Sequence, residues 1–105
     1  MARVLIADDS ATFRALAARL LRHVGHQVVG EAADGPTTLL LAERLAPDAV
    51  LLDVHLGDDD GHAVARALRG PRAIMVSSDP DAGAIAKEEL AARVLADGLF
   101  RDPVV

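Results

Sequence analysis

The chain predicts an α/β fold, a doubly wound parallel sheet with helices on both faces. Two observations carry this expectation. Short apolar runs alternate along the whole chain with segments whose apolar residues recur at helical spacing. Two of the runs, at 3–8 and 48–53, are apolar between a charged first residue and a closing aspartate, as strands buried on both faces are. A length of 105 residues fits one domain, taken here as 1–105, with a single modest core.

The elements follow in order. "RVLIAD", 3–8, reads as a buried strand. In "SATFRALAARLLRHVG", Phe13, Leu16, Ala17, Leu20, Leu21 and Val24 make a helical apolar face, with Ser10 as its cap and Gly25 as its stop. "HQVVGEA" is a second strand. "GPTTLLLAERLAP" is a second helix, with Pro36 in the first turn and Pro47 beyond the end. "DAVLLD" is the third strand, "GHAVARALRG" a short third helix and "RAIMVSS" the fourth strand.

Composition excludes several function classes. Hydrophobic residues make up 51% of the chain, so it is not a disordered segment. A net charge of -5 without a basic stripe argues against direct nucleic-acid binding, and an aromatic content of 2% leaves no platform for stacking bases. With no cysteine, disulfides, thiol catalysis and zinc thiolate sites are excluded. The apolar start meets acids too soon for a signal peptide or a membrane span, and a cytoplasmic protein is expected.

In open parallel sheets, ligands bind outside the carboxyl ends of the strands. There the sequence sets Asp8 and Asp9 after the first strand, Asp53 at the end of the third, and Ser77 and Ser78 at the end of the fourth. Clustered carboxylates repel unless a cation neutralises them, and an all-oxygen set suits Mg2+. An aspartate beside Mg2+ can attack phosphorus and form an acyl phosphate. Plainer readings stand beside these: Asp8 and Asp9 as helix caps, Asp53 as a turn residue, Ser77 as a strand end, and Asp58, Asp59 and Asp60 as a solvated loop.

The stretches "VLIADDS", "VVGEAADG", "PDAVLLDVHLGDDDG" and "IMVSS" together resemble the bacterial response regulator receiver domain. The resemblance covers roughly 3–78. It implies a flavodoxin-like sheet of strand order 2-1-3-4-5, a phosphoacceptor at Asp53, and Mg2+ held by Asp9, Asp53 and the main-chain carbonyl of His55, with Asp8 assisting. Ser77 would be the switch hydroxyl and Lys87 the phosphate-binding lysine. His55 and Asp79 fall where family members vary the side chains that tune phosphate lifetime. Gly57 stands where the family usually has proline. The resemblance also implies as partners a histidine kinase or phosphotransfer protein as donor, and an output protein not identified by sequence.

The departure lies after Ser77. The family places a helix and a fifth strand before its lysine, whereas here only 78–86 separate Ser77 from Lys87, the one lysine among eleven basic residues. Three readings are open. "AIA", 84–86, is a short fifth strand, Lys87 the family lysine and 88–100 the last helix, the fourth helix being lost. Alternatively 81–100 is one long helix and Lys87 is solvated. Or 81–90 is the fourth helix and 92–96 the fifth strand, which puts Asp102 in the lysine position. The lone lysine beside an apolar pair favours the first.

Losing a helix would uncover apolar sheet surface, and a short connection favours strand exchange, so a homodimer swapped after about Gly83 is expected. The expected function is a stand-alone phosphoacceptor of a two-component phosphorelay, not a turnover enzyme. Its rivals are a receiver-like interaction module that is not phosphorylated and, more distantly, a Mg2+-dependent phosphohydrolase.

Overall fold

The computed structural model describes residues 1–79, 81–96 and 99–100. A five-stranded parallel sheet has the order β2-β1-β3-β6-β7, built from β1 (Arg3–Ala7), β2 (Gln27–Ala32), β3 (Ala49–Asp53), β6 (Arg72–Ser77) and β7 (Ile85–Ala86). Counting only these strands, the order is the expected 2-1-3-4-5. Between β3 and β6 lies a small antiparallel ladder of β4 (His55–Leu56) and β5 (Asp59–Asp60). The helices are α1 (Ala11–His23), α2 (Gly35–Leu45), α3 (Gly61–Ala67) and α4 (Leu90–Leu95), the last preceded by a 3-10 turn over Lys87–Glu89.

Alternation along the strands divides the core in two. Val4, Ile6, Ala49, Leu51, Ile74 and Val76 face α1 and α4, where Ala17, Leu21, Leu90 and Val94 complete one buried cluster. Leu5, Ala7, Val50 and Leu52 face the other way, and Ala42 of α2 and Val64 of α3 close on them. The runs that read as wholly apolar are therefore strands with a core on each side.

Helix ends follow local chemistry. The Ser10 hydroxyl accepts from Phe13 N–H and caps α1, and Gly25, at φ +94°, stops it in a backbone region that other residues enter at a cost. Asp34 caps α2 by accepting from Thr37 N–H, with Pro36 in the first turn. The apolar face of α1 differs from expectation at two places. Leu16 is exposed, while Ala18 is buried in its stead.

Of the three readings of the segment after Ser77, the structure follows the first in order but not in bounds: the fifth strand is Ile85–Ala86 rather than 84–86, and the last helix is Leu90–Leu95 after a 3-10 turn rather than 88–100. No helix lies between β6 and β7 among the described residues, and Ile85–Ala86 is a strand. Ala92 and Leu95 lie in α4, not in a strand, which removes the third reading; Asp102 and the tail 101–105 lie outside the described residues. A parallel crossover ordinarily needs about a dozen residues or more. Residues 78–84 suffice here because β7 pairs only with the end of β6, Ile85 beside Val76 and Ala86 beside Ser77. The chain must step back by only about two residues, roughly 7 Å, to enter that register.

The expected uncovering of apolar surface is small. Among the described residues, the exposed large apolar ones are Met1, Leu16, Leu40 and Leu95, none of them on β6 or β7. No helix among the described residues is long and apolar enough to cross a membrane.

Candidate functional site

Sheet register brings the chemistry together. Ala7 lies beside Leu52, Asp53 beside Val76, and Ser77 beside Ala86. The residues at or just past these pairs are Asp8, Asp53, Ser77 and Lys87, so all four reach one edge of the sheet. Asp8 and Ser77 are fully buried and Asp53 is nearly so, while Asp9 is exposed.

Lys87 sits between the acids. Its Nζ lies 2.7 Å from Asp8 Oδ2 and 3.1 Å from Asp53 Oδ2. The contact with Asp53 is a hydrogen bond donated by the ammonium. The contact with Asp8 is a close ion pair to a fully buried carboxylate oxygen. The other oxygens are held by the backbone: Asp8 Oδ1 accepts from Ser10 N–H at 2.9 Å, and Asp53 Oδ1 from His55 N–H at 3.1 Å.

Burial pushes the Asp8 carboxyl above the usual range, against the pull of Lys87 and of the Ser10 N–H; the negative charge of Asp53 adds to the rise. Burial also works against the charge of Lys87, but Asp8 and Asp53 together outweigh it and hold the ammonium above its ordinary value.

Asp8, Asp9 and Asp53 each offer an oxygen within 4.8 Å of the others. Three carboxylates against one ammonium leave negative charge uncompensated. Hard oxygen ligands and excess negative charge are what a divalent cation such as Mg2+ requires, so the residues fit that ion. His55 adjoins the cluster through its N–H bond to Asp53, and its side chain is exposed.

Ser77 Oγ accepts from Asp79 N–H at 2.9 Å. Asp79 Oδ1 in turn accepts from Asp81 N–H, and the Asp79 carbonyl from Ala82 N–H. A run of side-chain turns thus stands where a helix was expected in relatives.

Several residues at the site were not singled out by sequence. The Phe13 ring lies under Lys87, with Nζ 4.5 Å from its centroid. Arg14 Nη1 donates to the Asp8 carbonyl at 2.6 Å while its Nε pairs with Glu31. The acid triplet is not simply a solvated loop: Asp59 Oδ2 accepts from Gly35 N–H at 2.8 Å, and Asp60 Oδ1 from His62 N–H at the start of α3. Gly61 packs directly on the Asp53 backbone; a Cβ there would stand 2.0 Å from the Asp53 carbonyl oxygen. A glycine just after acids at a helix start is a signal for such an approach, but only the fold names the atom approached.

A family model described as the response regulator receiver domain matches residues 4–96. The chain belongs to this family. Over 70 residues the receiver domain is 43% identical to the transcriptional regulatory protein PdtaR of Mycobacterium tuberculosis, covering 67% of this chain and 34% of that protein. It is 44% identical over 69 residues to the response regulator PleD of Caulobacter vibrioides, covering 65% of this chain and 15% of that one. Among solved structures, the receiver domain of the response regulator NarL from Mycobacterium tuberculosis superposes with a TM-score of 0.76 at 31% identity, over 90% of this chain and 94% of that one. The response regulator domain of Thermotoga maritima CheB gives 0.75 at 25% identity, over 96% and 98%. This receiver spans about a third of PdtaR and less of PleD, so the output activities of those proteins are theirs.

Proposed function

We propose that this receiver accepts a phosphoryl group on Asp53 and signals through protein contact. The observation that supports it is the placement of Lys87 Nζ between Asp8 and Asp53, 2.7 and 3.1 Å away, at the carboxyl edge of the sheet. An Asp53 oxygen attacks the phosphorus of a phosphohistidine or a small acyl phosphate. The new P–O bond forms as the P–N or P–O bond of the donor breaks, and the electron pair leaves with the imidazole, which takes a proton from solvent, or with the carboxylate.

Lys87 offers its ammonium to the incoming phosphoryl oxygens, and Ser77 turns its hydroxyl from Asp79 N–H towards them. Asp8, Asp9 and Asp53, with the His55 carbonyl, would hold Mg2+, which supplies charge neutralisation between carboxylates and phosphoryl oxygens. The partners are a histidine kinase or phosphotransfer protein as donor and a protein that reads the 77–83 turns as output.

The test is intact mass after incubation with acetyl phosphate and Mg2+. One added phosphoryl group in wild type, absent in Asp53→Asn, is expected. No adduct in wild type under any Mg2+ or donor concentration would overturn the proposal in favour of a receiver-like interaction module.

A further inference from the structure

We propose that Phe13 is a positioning residue for Lys87, holding the ammonium over its ring face within reach of Asp53. The inference rests on the phosphoacceptor reading and adds a residue to it. The backbone that carries Lys87 is lightly anchored. It follows a strand of two residues, the turn before that strand includes Gly83 at φ +70°, and no side chain caps the 3-10 turn that Lys87 opens. The two acids hold the end of a four-carbon side chain that carries about 2 kcal/mol of rotamer entropy from one side, and a contact on its other side restricts it further.

Phe13 is placed to do so. Its ring centroid is 4.5 Å from Nζ, well inside the range at which the negative ring face attracts a cation. Its backbone is fixed by its N–H bond to Ser10 Oγ, and Ser10 N–H is itself held by Asp8 Oδ1. The ring, the acid cluster and the lysine thus share one short chain of contacts. Phe13 also packs against the α1-side core, so the ring cannot swing away without opening that core. The chain has only two phenylalanines and no tyrosine or tryptophan, and one of the two faces the only lysine. A leucine at position 13 would keep apolar volume but lose the ring's attraction.

The experiment measures affinity for beryllofluoride with Mg2+, a phosphoryl mimic, in wild type, Phe13→Leu, Phe13→Tyr, Lys87→Met and the Phe13→Leu/Lys87→Met pair, with urea unfolding of each. Phe13→Leu is expected to weaken mimic binding about two- to fivefold, Phe13→Tyr to restore it, and Phe13→Leu to have no further effect once Lys87 is Met. Ring-fluorinated phenylalanines at position 13 are expected to weaken binding in step with fluorine number. Wild-type affinity in Phe13→Leu, or an equal loss in the Lys87→Met background, would overturn the proposal. If wild type itself does not bind the mimic, the phosphoacceptor reading fails, and the unfolding data decide separately. Energetic coupling between positions 13 and 87 then supports the contact, and strict additivity overturns it.

Discussion

Replacing Gly61 by alanine tests the close approach between α3 and the end of β3. An added Cβ would lie 2.0 Å from the Asp53 carbonyl oxygen, 2.8 Å from the Val54 oxygen and 2.9 Å from Val54 Cα. Ordinary contact begins near 3.4 Å, so about 1.4 Å must be found at the first of these. All three are backbone atoms, and none can rotate aside. Either α3 backs off and loses the Gly61 N–H bond to the Val54 carbonyl, now 2.8 Å, or the Asp53 peptide moves. Overpacking costs about 1–3 kcal/mol, and the lost hydrogen bond about 1 kcal/mol more. A total of about 2–4 kcal/mol lowers the melting temperature of a domain this size by on the order of 10–20 °C.

Gly70→Ala is the control. Nothing lies within 4 Å of its added Cβ, but φ is +104°, so its cost is backbone strain alone, about 1–2 kcal/mol. Urea and thermal unfolding of the two variants beside wild type decide the matter. If Gly61→Ala is no less stable than Gly70→Ala, the argument from close approach is wrong.

Other outcomes follow from the same geometry. Without Mg2+ at pH 7, Asp8→Asn is expected to be more stable than wild type, because burial raises the Asp8 carboxyl and its charged form opposes folding. A group raised in the folded state contributes stability at low pH that is lost as pH rises through the folded value. The advantage of Asp8→Asn should therefore shrink as pH falls towards the ordinary 3.8, and urea midpoints at several pH values would show a constant gap if this is wrong. Leu90→Ala, which empties a buried position in the core shared with α1, should cost about 2–5 kcal/mol; a loss under 1 kcal/mol would mean that α4 does not close this core. Light scattering across a dilution series tests exchange of the segment after Gly83 between two chains: with little large apolar surface exposed among the described residues and β7 reached within one chain, a monomer is expected, and a dimer that persists on dilution would point to exchange.

The main elements were legible because each rested on a local rule. Strands apolar throughout, Ser10 and Gly25 at the ends of α1, and Pro36 inside α2 need no knowledge of distant residues. The carboxyl edge was legible for the same reason, since a parallel sheet sends Asp8, Asp53 and Ser77 to one side. What stayed hidden depended on approach between segments far apart in sequence. Asp59 looks like a loop acid until α2 presents Gly35 N–H to it. Leu16 and Ala18 lie at opposite edges of the apolar face of α1, and packing on the sheet rather than the helical period decides which edge is covered. Phe13 was placed on a core face, correctly, but a residue that packs at a core's rim can also meet a charge.

The connection after Ser77 shows how little of a sheet is needed to bring a lysine to the carboxyl edge. A lysine at the carboxyl edge requires a strand only where that strand ends. Pairing Ile85 with Val76 and Ala86 with Ser77 delivers Lys87 to Asp53, and residues further back along β7 would add nothing to that placement. A full-length fifth strand would have to begin near the start of β6, and only a long crossover can return the chain that far. Shortening the strand and dispensing with the helix are therefore one change. Once the strand is two residues long, the turns held by Ser77 and Asp79 are enough to reverse the chain. The same economy shifts work onto side chains, since a strand with two paired residues cannot hold a long lysine still. The acids in front of it and the ring beneath it take over what the backbone no longer does.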